Sequence, residues 1–293
     1  MQTSDKVQVV SVFATGPQGG NPAPIVVDAT GMTDVEMQSV ARAYGHESGF
    51  VLPASADTEC DFDFRFWVPN HEMSMCGHAT IGCVWLLDSL GRLPRPEVSI
   101  STKSGKVEAR VLGHSEQGAE VEISQPAGIV EPLPDERTQI ADIVSVLGIQ
   151  ASELADYPIQ NARTSRVKTL IPLKSEAVLS SLRPDFSRME DVCTRIGSTG
   201  LYPYAVLDHA RQIFDARQFP QSSGYPEDAA TGIAASALSF GLLENGIVER
   251  SDRQITIRQG RAMKRPSAIS VRFHMDDSGP KGCWIGGAVR IGA

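Results

Sequence analysis

Two apolar segments, one in each half of the chain, constrain its fold more than any other feature. The first is predicted to form a helix from about Gly77 to Leu90, and the second runs from an expected N-cap at Asp228 to Leu243. A helix that is apolar on all of its faces has to be enclosed by other elements. Segments rich in β-branched residues flank both helices, so each half is predicted to hold one helix inside a curved, mixed sheet.

The order of the predicted elements is the same in both halves, with an offset of about 155 residues. In each half the apolar helix ends at a glycine and is followed by a hairpin. The hairpins are predicted over residues 98–101 and 106–111 in the first half, and over 254–258 and 268–273 in the second. Two copies indicate a duplicated domain rather than a solenoid, with an N-terminal half at residues 1–127 and a C-terminal half at residues 128–293.

Local signals predict several further elements. Thr33 and Glu36 have the spacing of a capping box, and Gly45 is the expected end of the helix that they begin. Residues 62–66 alternate strictly between apolar and polar side chains, which is typical of a half-buried strand. The segment 128–139 contains two prolines and is the predicted linker between the halves.

The charge balance argues against several classes of partner. The chain carries 27 basic and 35 acidic residues, a formal net charge of -8, whereas nucleic acids and anionic membranes require clustered lysine and arginine. No apolar run approaches the roughly 20 residues of a membrane span, and the first residues lack the apolar core of a signal peptide. We therefore expect a cytoplasmic protein with no nucleic-acid or membrane partner.

Motifs for nucleotide cofactors and metals are incomplete. The sequence has no GxxxxGKS or GxxxxGKT motif, and no GxGxxG opens a helix after a strand, so no nucleotide cofactor is expected. His71, Cys76 and His78 carry metal-binding side chains, but no matching cluster occurs elsewhere, and Met75 breaks an HExxH motif that begins at His71. The five cysteines are scattered without a CxxC pair. Neither a metal site nor a disulfide framework is predicted.

The starts of the two apolar helices carry residues suited to binding an anion and to transferring a proton. Cys76, Gly77 and His78 stand at the first start, where free N–H groups and the helix dipole favour a bound carboxylate and a thiolate. Asp228 to Gly232 form the second start. If the two halves face each other, both starts contribute to one anion site made of backbone. The structural alternative is that Cys76 packs as a small hydrophobe, His78 caps its helix and Asp228 is an ordinary N-cap.

Glu47 lies between the predicted helix end at Gly45 and a short strand over residues 50–52. Most glutamates in such loops are solvated, which is the structural interpretation of this residue. Held instead beside Phe50 and the helix end, its carboxylate is suited to taking a proton and returning it. Spacing alone leaves both interpretations open.

Five sequence blocks resemble the signature of one protein family. They are Gly20-Asn21-Pro22, His46-Glu47-Ser48-Gly49-Phe50-Val51, Cys76-Gly77-His78-Ala79-Thr80, Glu227-Asp228-Ala229-Ala230-Thr231-Gly232, and Gln259-Gly260-Arg261 with Arg265-Pro266-Ser267. They look like the blocks of the PhzF phenazine-biosynthesis-like family, in the family's order. The resemblance implies an α+β, diaminopimelate epimerase-like fold with two pseudo-symmetric domains, each a mixed β-barrel around a central α-helix, and an active site between them. It also implies a homodimer without a cofactor.

The resemblance further implies a reaction and the residues that carry it. The family's type enzyme isomerises trans-2,3-dihydro-3-hydroxyanthranilate, and Glu47 matches the glutamate that takes and returns the proton. His78 and Asp228 match residues that hold the substrate and shuttle or stabilise protons. The expected substrate-binding residues are Ser48, Cys76, Gly77, Ala79, Thr231 and Gly232, of which the matching glycines and threonine present their backbone to the substrate carboxylate.

Two positions depart from the family pattern Asp-Pro-x-Thr-Gly-Ser at the second helix start. Ala229 replaces the proline and Ile233 replaces the serine. Because Ile233 removes a hydroxyl and makes the expected pocket more apolar, the phenazine precursor is not carried over as the substrate.

Cys76 keeps a second mechanism open. In the related diaminopimelate epimerases and proline racemases, a cysteine at this helix start is paired with another at the second start, and Ala229 occupies that second position here. A mechanism with two thiols therefore lacks its second cysteine. A mechanism with Cys76 as the single base, resembling that of the hydroxyproline dehydratases, stays open.

The predicted function is a cofactor-independent isomerase that moves a proton on a small amino- or hydroxy-carboxylic acid, with Glu47 as general acid/base. One alternative is a Cys76-dependent amino-acid epimerase or dehydratase. The other is a non-catalytic protein that binds a small acid. The presence of Glu47, His78 and Asp228 together favours the first function.

Overall fold

A computed structural model describes residues 7–115 and 118–292. In chain order the strands are β1 (Val7–Val12), β2 (Asn21–Val26), β3 (Ser48–Pro53), β4 (Phe62–Trp67), β5 (Glu72–Met73), β6 (Glu97–Thr102), β7 (Gly105–Ser115), β8 (Gly118–Pro126), β9 (Ile129–Pro132), β10 (Gln160–Arg163), β11 (Val167–Leu173), β12 (Gly200–Asp208), β13 (Ile213–Ala216), β14 (Phe219–Pro220), β15 (Ile255–Gln259), β16 (Ser267–Asp276), β17 (Gly279–Gly287) and β18 (Val289–Ile291).

The α-helices are α1 (Asp34–Tyr44), α2 (Gly77–Ser89), α3 (Glu136–Leu147), α4 (Glu176–Ser181), α5 (Phe186–Arg195) and α6 (Gly232–Glu244). Short 3-10 turns lie at Ala151–Glu153 and Arg261–Met263. The described residues form two compact units, of which unit 1 comprises residues 7–115, 118–124 and 286–292, and unit 2 comprises residues 125–285. The boundaries of the two halves predicted from the sequence, 1–127 and 128–293, stay a prediction.

In unit 1 a mixed sheet surrounds α2. The strand order is β18-β1-β2-β3-β4-β6-β7-β8, in which β2 pairs with β3 and β4 with β6 in parallel, and the other neighbours are antiparallel. Helix α2 packs against β1, β2 and β3 in the middle of this order and against β18 and β7 towards its ends. The sheet therefore curves around the helix, whose residues from Gly77 to Leu87 are all buried.

Unit 2 repeats this arrangement around α6. Its strand order is β9-β10-β11-β12-β13-β15-β16, with β11 parallel to β12 and β13 parallel to β15. Helix α6 packs against β9, β10 and β11 at one end of this order and against β16 at the other. Its residues from Gly232 to Leu242 are buried. An apolar helix of this kind is stable only in such an enclosure.

The two units share one topology. From β1 to β7 and from β10 to β16, successive pairings are antiparallel, parallel, antiparallel, parallel and antiparallel. The first residues of the enclosed helices, Gly77 and Gly232, are 155 positions apart. The mixed α+β class and the internal repeat predicted from the sequence are thus confirmed.

Most local predictions agree with the structure. Thr33 and Glu36 form the predicted capping box at α1, and Gly45 ends this helix in the left-handed conformation, with a φ of 68°. The predicted hairpins correspond to β6–β7 and β15–β16. The half-buried strand predicted over residues 62–66 is β4.

Two local predictions are wrong. The segment 128–139 is no linker, because it contains β9, which pairs with β10, and the first turn of α3. Its prolines, Pro132 and Pro134, lie at the end of β9 and just before α3, where proline is tolerated. Asp228 is not the N-cap of the second enclosed helix either, since α6 begins at Gly232 and its N-cap is Thr231.

Residues 136–195, for which the sequence predicted no elements, form helices and strands around a core of their own. Helices α3 and α5 pack on each other and bury aliphatic side chains such as Ile143, Val146 and Val192 together with residues of β11 and β12. None of the helices that the structure describes is both long and apolar enough to cross a membrane.

Candidate active site

The N-terminus of α2 is suited to binding an anion. The N-cap residue Cys76 has an extended backbone, with a φ of -138°, and its side chain does not cap the helix. At α1, by contrast, the Thr33 side chain accepts a hydrogen bond from the N–H of Glu36. The first turn of α2, all of it described, contains no acidic residue. Because the first N–H groups of a helix lack intrahelical partners and carry the positive end of its dipole, a carboxylate is favoured here.

Close packing of β3 on α2 brings Glu47 to this helix start. Glu47 immediately precedes β3, and the second residue of that strand is Gly49. A Cβ atom at Gly49 would lie 2.7 Å from Sγ of Cys83, in the middle of α2. Only glycine allows the strand to approach the helix this closely, and the approach carries the preceding carboxylate towards Cys76 and His78.

Glu47, Cys76 and His78 form one polar cluster. The Cys76 thiol donates a hydrogen bond to Oε2 of Glu47 over 3.1 Å, and Nδ1 of His78 lies 3.4 Å from the Cys76 sulfur. The same Nδ1 atom is 3.3 Å from Oε2 of Glu47. Side-chain exposure is 16% for Glu47 and 5% for His78. A carboxylate, a thiol and an imidazole are thus placed to exchange protons in a largely dry environment.

The second nitrogen of His78 is the most informative atom of the cluster. Nε2 is buried and has no hydrogen-bond partner among the described residues. Leaving a buried polar atom unpaired costs about 1–3 kcal/mol. An imidazole fixed by Glu47 and Cys76 on one side and unpartnered on the other is suited to hydrogen bonding with a bound ligand.

The other predicted residues of this half lie beside the cluster. Ser48 is fully buried and its hydroxyl donates to the backbone oxygen of His46 over 3.1 Å. Gly77 and Ala79 are buried in the first turn of α2. His71, considered from the sequence as a metal ligand, is exposed and is not part of the cluster.

In unit 2, Asp228 and Thr231 are held together at the start of α6. The Thr231 hydroxyl donates a hydrogen bond to Oδ2 of Asp228. Thr231 is the N-cap by its backbone, but its side chain does not cap the helix. The sequence predicted that the Asp228 side chain would accept a hydrogen bond from a backbone N–H at the helix start. In the structure it accepts one from the Thr231 hydroxyl. Gly232 is buried as the first residue of α6.

Gln259 connects this turn to the core of unit 2, and the sequence did not predict its role. Its Oε1 accepts hydrogen bonds from the Tyr202 hydroxyl over 2.9 Å and from the Thr231 N–H over 3.3 Å. Its Nε2 donates to the backbone oxygen of Asp228 over 2.7 Å and to Oγ1 of Thr231 over 3.2 Å. Burial, and to a smaller extent the charge of Asp228, raises the pKa of Tyr202, so that its hydroxyl remains a donor.

Gly260 lets this support approach the helix start. Its φ of +78° is a conformation that favours glycine, and a Cβ atom here would lie 2.6 Å from the backbone oxygen of Ala229 and 2.2 Å from that of Arg265. Gln259 and Gly260 both belong to one of the five sequence blocks that resemble the family. Membership of that block was the one feature of the sequence that could have pointed to the role of Gln259.

The fold and the cluster define a class of protein. Two units of one topology, each a mixed sheet around an enclosed helix, are the features expected of the diaminopimelate epimerase-like fold. The crystal structure of a phenazine biosynthesis protein of the PhzF family from Bacillus anthracis superimposes with a TM-score of 0.85, at 24% identity, over 98% of this chain and 96% of that one. This likeness confirms the predicted fold class.

The chain belongs to the phenazine biosynthesis-like (PhzC-PhzF) family, whose family model matches residues 10–291. An uncharacterized isomerase of Escherichia coli O157:H7 is 28% identical over 289 residues, which are 98% of this chain and 96% of that protein. A trans-2,3-dihydro-3-hydroxyanthranilate isomerase of Pseudomonas aeruginosa is 27% identical over 268 residues, covering 90% of this chain and 88% of that protein. The chain is accordingly an isomerase of this family.

Proposed function

We propose that this isomerase moves a proton on a small amino- or hydroxy-carboxylic acid without a cofactor, with Glu47 as general acid/base. The observation that supports this proposal most is the cluster of Glu47, Cys76 and His78 at the uncapped start of α2. It joins a helix end suited to an anion to a partly buried carboxylate, which are the two parts that proton abstraction beside a carboxylate requires.

In the proposed mechanism the first N–H groups of α2 bind the substrate carboxylate. This contact stabilises negative charge as it develops on the substrate during removal of the neighbouring proton. Oε2 of Glu47 forms an O–H bond with that proton while the C–H bond breaks and its electron pair is delocalised into the substrate. Glu47 then returns the proton to another carbon, so that the product is an isomer and the enzyme is regenerated.

His78 is proposed to stabilise the charged intermediate. With the proton on Nε2, the ring donates to a substrate oxygen from the nitrogen that has no partner among the described residues. Nδ1 then accepts from the Cys76 thiol or from protonated Glu47, at 3.4 and 3.3 Å. The geometry matches a relay in which Glu47 and the imidazole act as one proton-transfer unit.

Asp228, Thr231 and Gly232 are proposed to bind and orient the substrate. This role is supported by the resemblance of their block to the family and by the hydrogen bonds that fix the turn from Asp228 to Thr231. Ile233, in the first turn of α6, is buried and contributes an apolar surface. We therefore propose a substrate that is less polar near this turn than the substrate of the Pseudomonas aeruginosa relative.

A second candidate function is a thiol-dependent epimerase or dehydratase. It is favoured by the hydrogen bond from the Cys76 thiol to Glu47, because an adjacent carboxylate is able to deprotonate a thiol. In that case the Cys76 thiolate is the base that meets the substrate, and Glu47 only activates it.

The glutamate and the thiol are distinguished by comparing Glu47→Gln with Cys76→Ala. We expect Glu47→Gln to lower turnover by about 10²–10⁴-fold, because a positioned acid/base contributes that much. Cys76→Ala is expected to keep most of the activity. Turnover is followed by NMR in D₂O as conversion of each substrate to its isomer, over a panel of small amino and hydroxy acids that includes trans-2,3-dihydro-3-hydroxyanthranilate, and the position of any incorporated deuterium is recorded.

Glu59→Gln is the matched control, since it makes the same change at an exposed glutamate away from the cluster. It is expected to leave turnover unchanged. Full activity of Glu47→Gln would refute the assignment of the base. Loss of activity in Cys76→Ala alone, with deuterium appearing at a stereocentre, would establish the thiol-dependent reaction instead.

A further inference from the structure

We infer that Glu47, Cys76 and His78 also form a binding site for a thiophilic divalent cation such as Zn²⁺, and that the bound cation inhibits the enzyme. Inhibition rests on the proposed function, because the cation would occupy the atoms that transfer the proton. Cation binding itself rests only on the geometry of the three side chains.

The distances within the cluster match a tetrahedral zinc site. With zinc-to-ligand distances of about 2.0–2.3 Å, the edges between a sulfur, a nitrogen and an oxygen ligand of a tetrahedron measure about 3.3–3.6 Å. The corresponding distances are 3.4 Å from Cys76 to His78, 3.3 Å from His78 to Glu47 and 3.1 Å from Cys76 to Glu47. A cation therefore fits among the three ligand atoms with side-chain shifts of a few tenths of an ångström.

The ligand types and charges are those of a zinc site with an open position. Binding removes the thiol proton of Cys76 to solvent, so that a thiolate and a carboxylate balance the two positive charges of the cation. Neutral His78 supplies the lone pair of Nδ1 and keeps its proton on Nε2. Three protein ligands leave the fourth position for water, as in catalytic zinc sites.

The surroundings of the cluster indicate reversible inhibition rather than a resident metal. Histidines that hold a resident metal usually donate their other N–H to a fixed partner, which raises affinity by about 10–100-fold. Nε2 of His78 has no such partner in the part of the chain that the structure describes. The site accordingly binds the cation more weakly than a structural zinc site and releases it to a chelator.

Cobalt(II) is the direct probe of this site, because a thiolate ligand gives it a charge-transfer absorption band that oxygen and nitrogen ligands do not. The purified protein, reduced and kept under argon, is titrated with Co²⁺. We expect the thiolate-to-cobalt band together with the visible bands of a four-coordinate ion. Zn²⁺ should displace Co²⁺ and abolish both.

Variants identify the ligands. Cys76→Ser removes the thiolate with almost no change in volume and is expected to abolish the charge-transfer band. Glu47→Gln and His78→Gln are expected to weaken Co²⁺ binding at least about 10-fold. Cys60→Ser is the matched control, because Cys60 is the most exposed of the cysteines and lies outside the cluster, and its band should equal that of the wild type. Circular dichroism verifies that each variant is folded.

The outcomes separate this inference from the proposed function. An absent band in the folded wild type, or an unchanged band in Cys76→Ser, would overturn the cation site whatever the enzyme's activity. A cobalt band in an enzyme whose Glu47→Gln variant is fully active would keep the cation site and refute Glu47 as the base. Full turnover with Zn²⁺ bound would overturn the inhibition.

Discussion

The cysteines of this chain share one chemistry but lie in different surroundings. Cys83, Cys193 and Cys283 are buried, and burial raises the pKa of each thiol, to about 12 for Cys193 and Cys283. Cys76 is also buried, yet its sulfur is hydrogen-bonded to a carboxylate at a helix start. Burial alone thus does not distinguish Cys76 from the packing cysteines; the neighbouring carboxylate and the helix start do, and they are the reason that Cys76 is proposed to be functional.

The raised pKa values predict slow alkylation of the native protein. At pH 8 a thiol with a pKa of about 12 is ionised in on the order of 1 molecule in 10,000. Cys193 and Cys283 should therefore remain unmodified by iodoacetamide until the chain is unfolded, and the rate should rise about tenfold for each pH unit. Peptide mass spectrometry measures each site. Rapid modification of either thiol in the folded chain would contradict its burial.

The sequence identified Glu47, Cys76 and His78 but not their relationship. Glu47 and Cys76 were alternative bases on the sequence evidence, whereas the structure joins them by a hydrogen bond across 29 positions of the chain. Such a contact depends on how closely a strand packs on a helix, and no local pattern encodes that distance. Gln259 was missed for the same reason, since its partners at Tyr202, Asp228 and Thr231 come from separate elements.

Among the elements, the contact of β3 with α2 determines where the cluster forms. Gly49→Ala adds a methyl group 2.7 Å from the Cys83 sulfur and 3.1 Å from Cδ1 of Ile25. We expect a loss of about 1–3 kcal/mol in the free energy of unfolding, because overpacking of a dense core forces side chains and backbone to shift. Urea denaturation measures this change.

Cys83→Ala provides the partner of a double-mutant cycle. It removes the sulfur that the new methyl group would meet, so the double variant should recover part of the stability lost in Gly49→Ala. Additive effects of the two changes would show that the strand does not press on the helix at this point.

Element boundaries were predicted where the signal is local. The capping box at α1 and the paired strands of both hairpins depend on local patterns and were found, although the connection between β15 and β16 is longer than a turn at Gln259-Gly260. The errors at residues 128–139 and at Asp228 have another cause. Prolines occur both in linkers and at the ends of elements, and an aspartate before a helix accepts hydrogen bonds from a side chain as readily as from the backbone.

On the scale of the whole molecule, the uniform apolar character of α2 and α6 made the architecture predictable. A helix without a polar face requires a complete enclosure, and two such helices imply two enclosures. The region of α3, α4 and α5 could not be derived in this way. Helix α3 packs on α5, and α4 and α5 pack on β12, around an apolar cluster of their own, and their sequence does not indicate these partners.

Hydrogen exchange is expected to reflect this architecture. Amides of α2 and α6 should exchange most slowly, since both helices are buried along their length, whereas α5 exposes one face and should open more readily. Exchange followed by mass spectrometry on the intact chain tests this. Exchange in α2 or α6 as fast as in α5 would show that the enclosure opens without global unfolding.

The Nε2 atom of His78, which lacks a partner within residues 7–115 and 118–292, bears on the evolution of the protein. A buried polar nitrogen without a partner among the described residues lowers the stability of the fold, and a ligand that bonds to it would restore that stability. Under the proposed role of His78, selection for heat resistance alone would therefore favour an apolar replacement at this position, whereas selection for isomerase activity would preserve the imidazole. If a library varied at position 78 is selected separately under each condition, sequencing should find apolar residues there after selection for heat resistance and histidine after selection for activity.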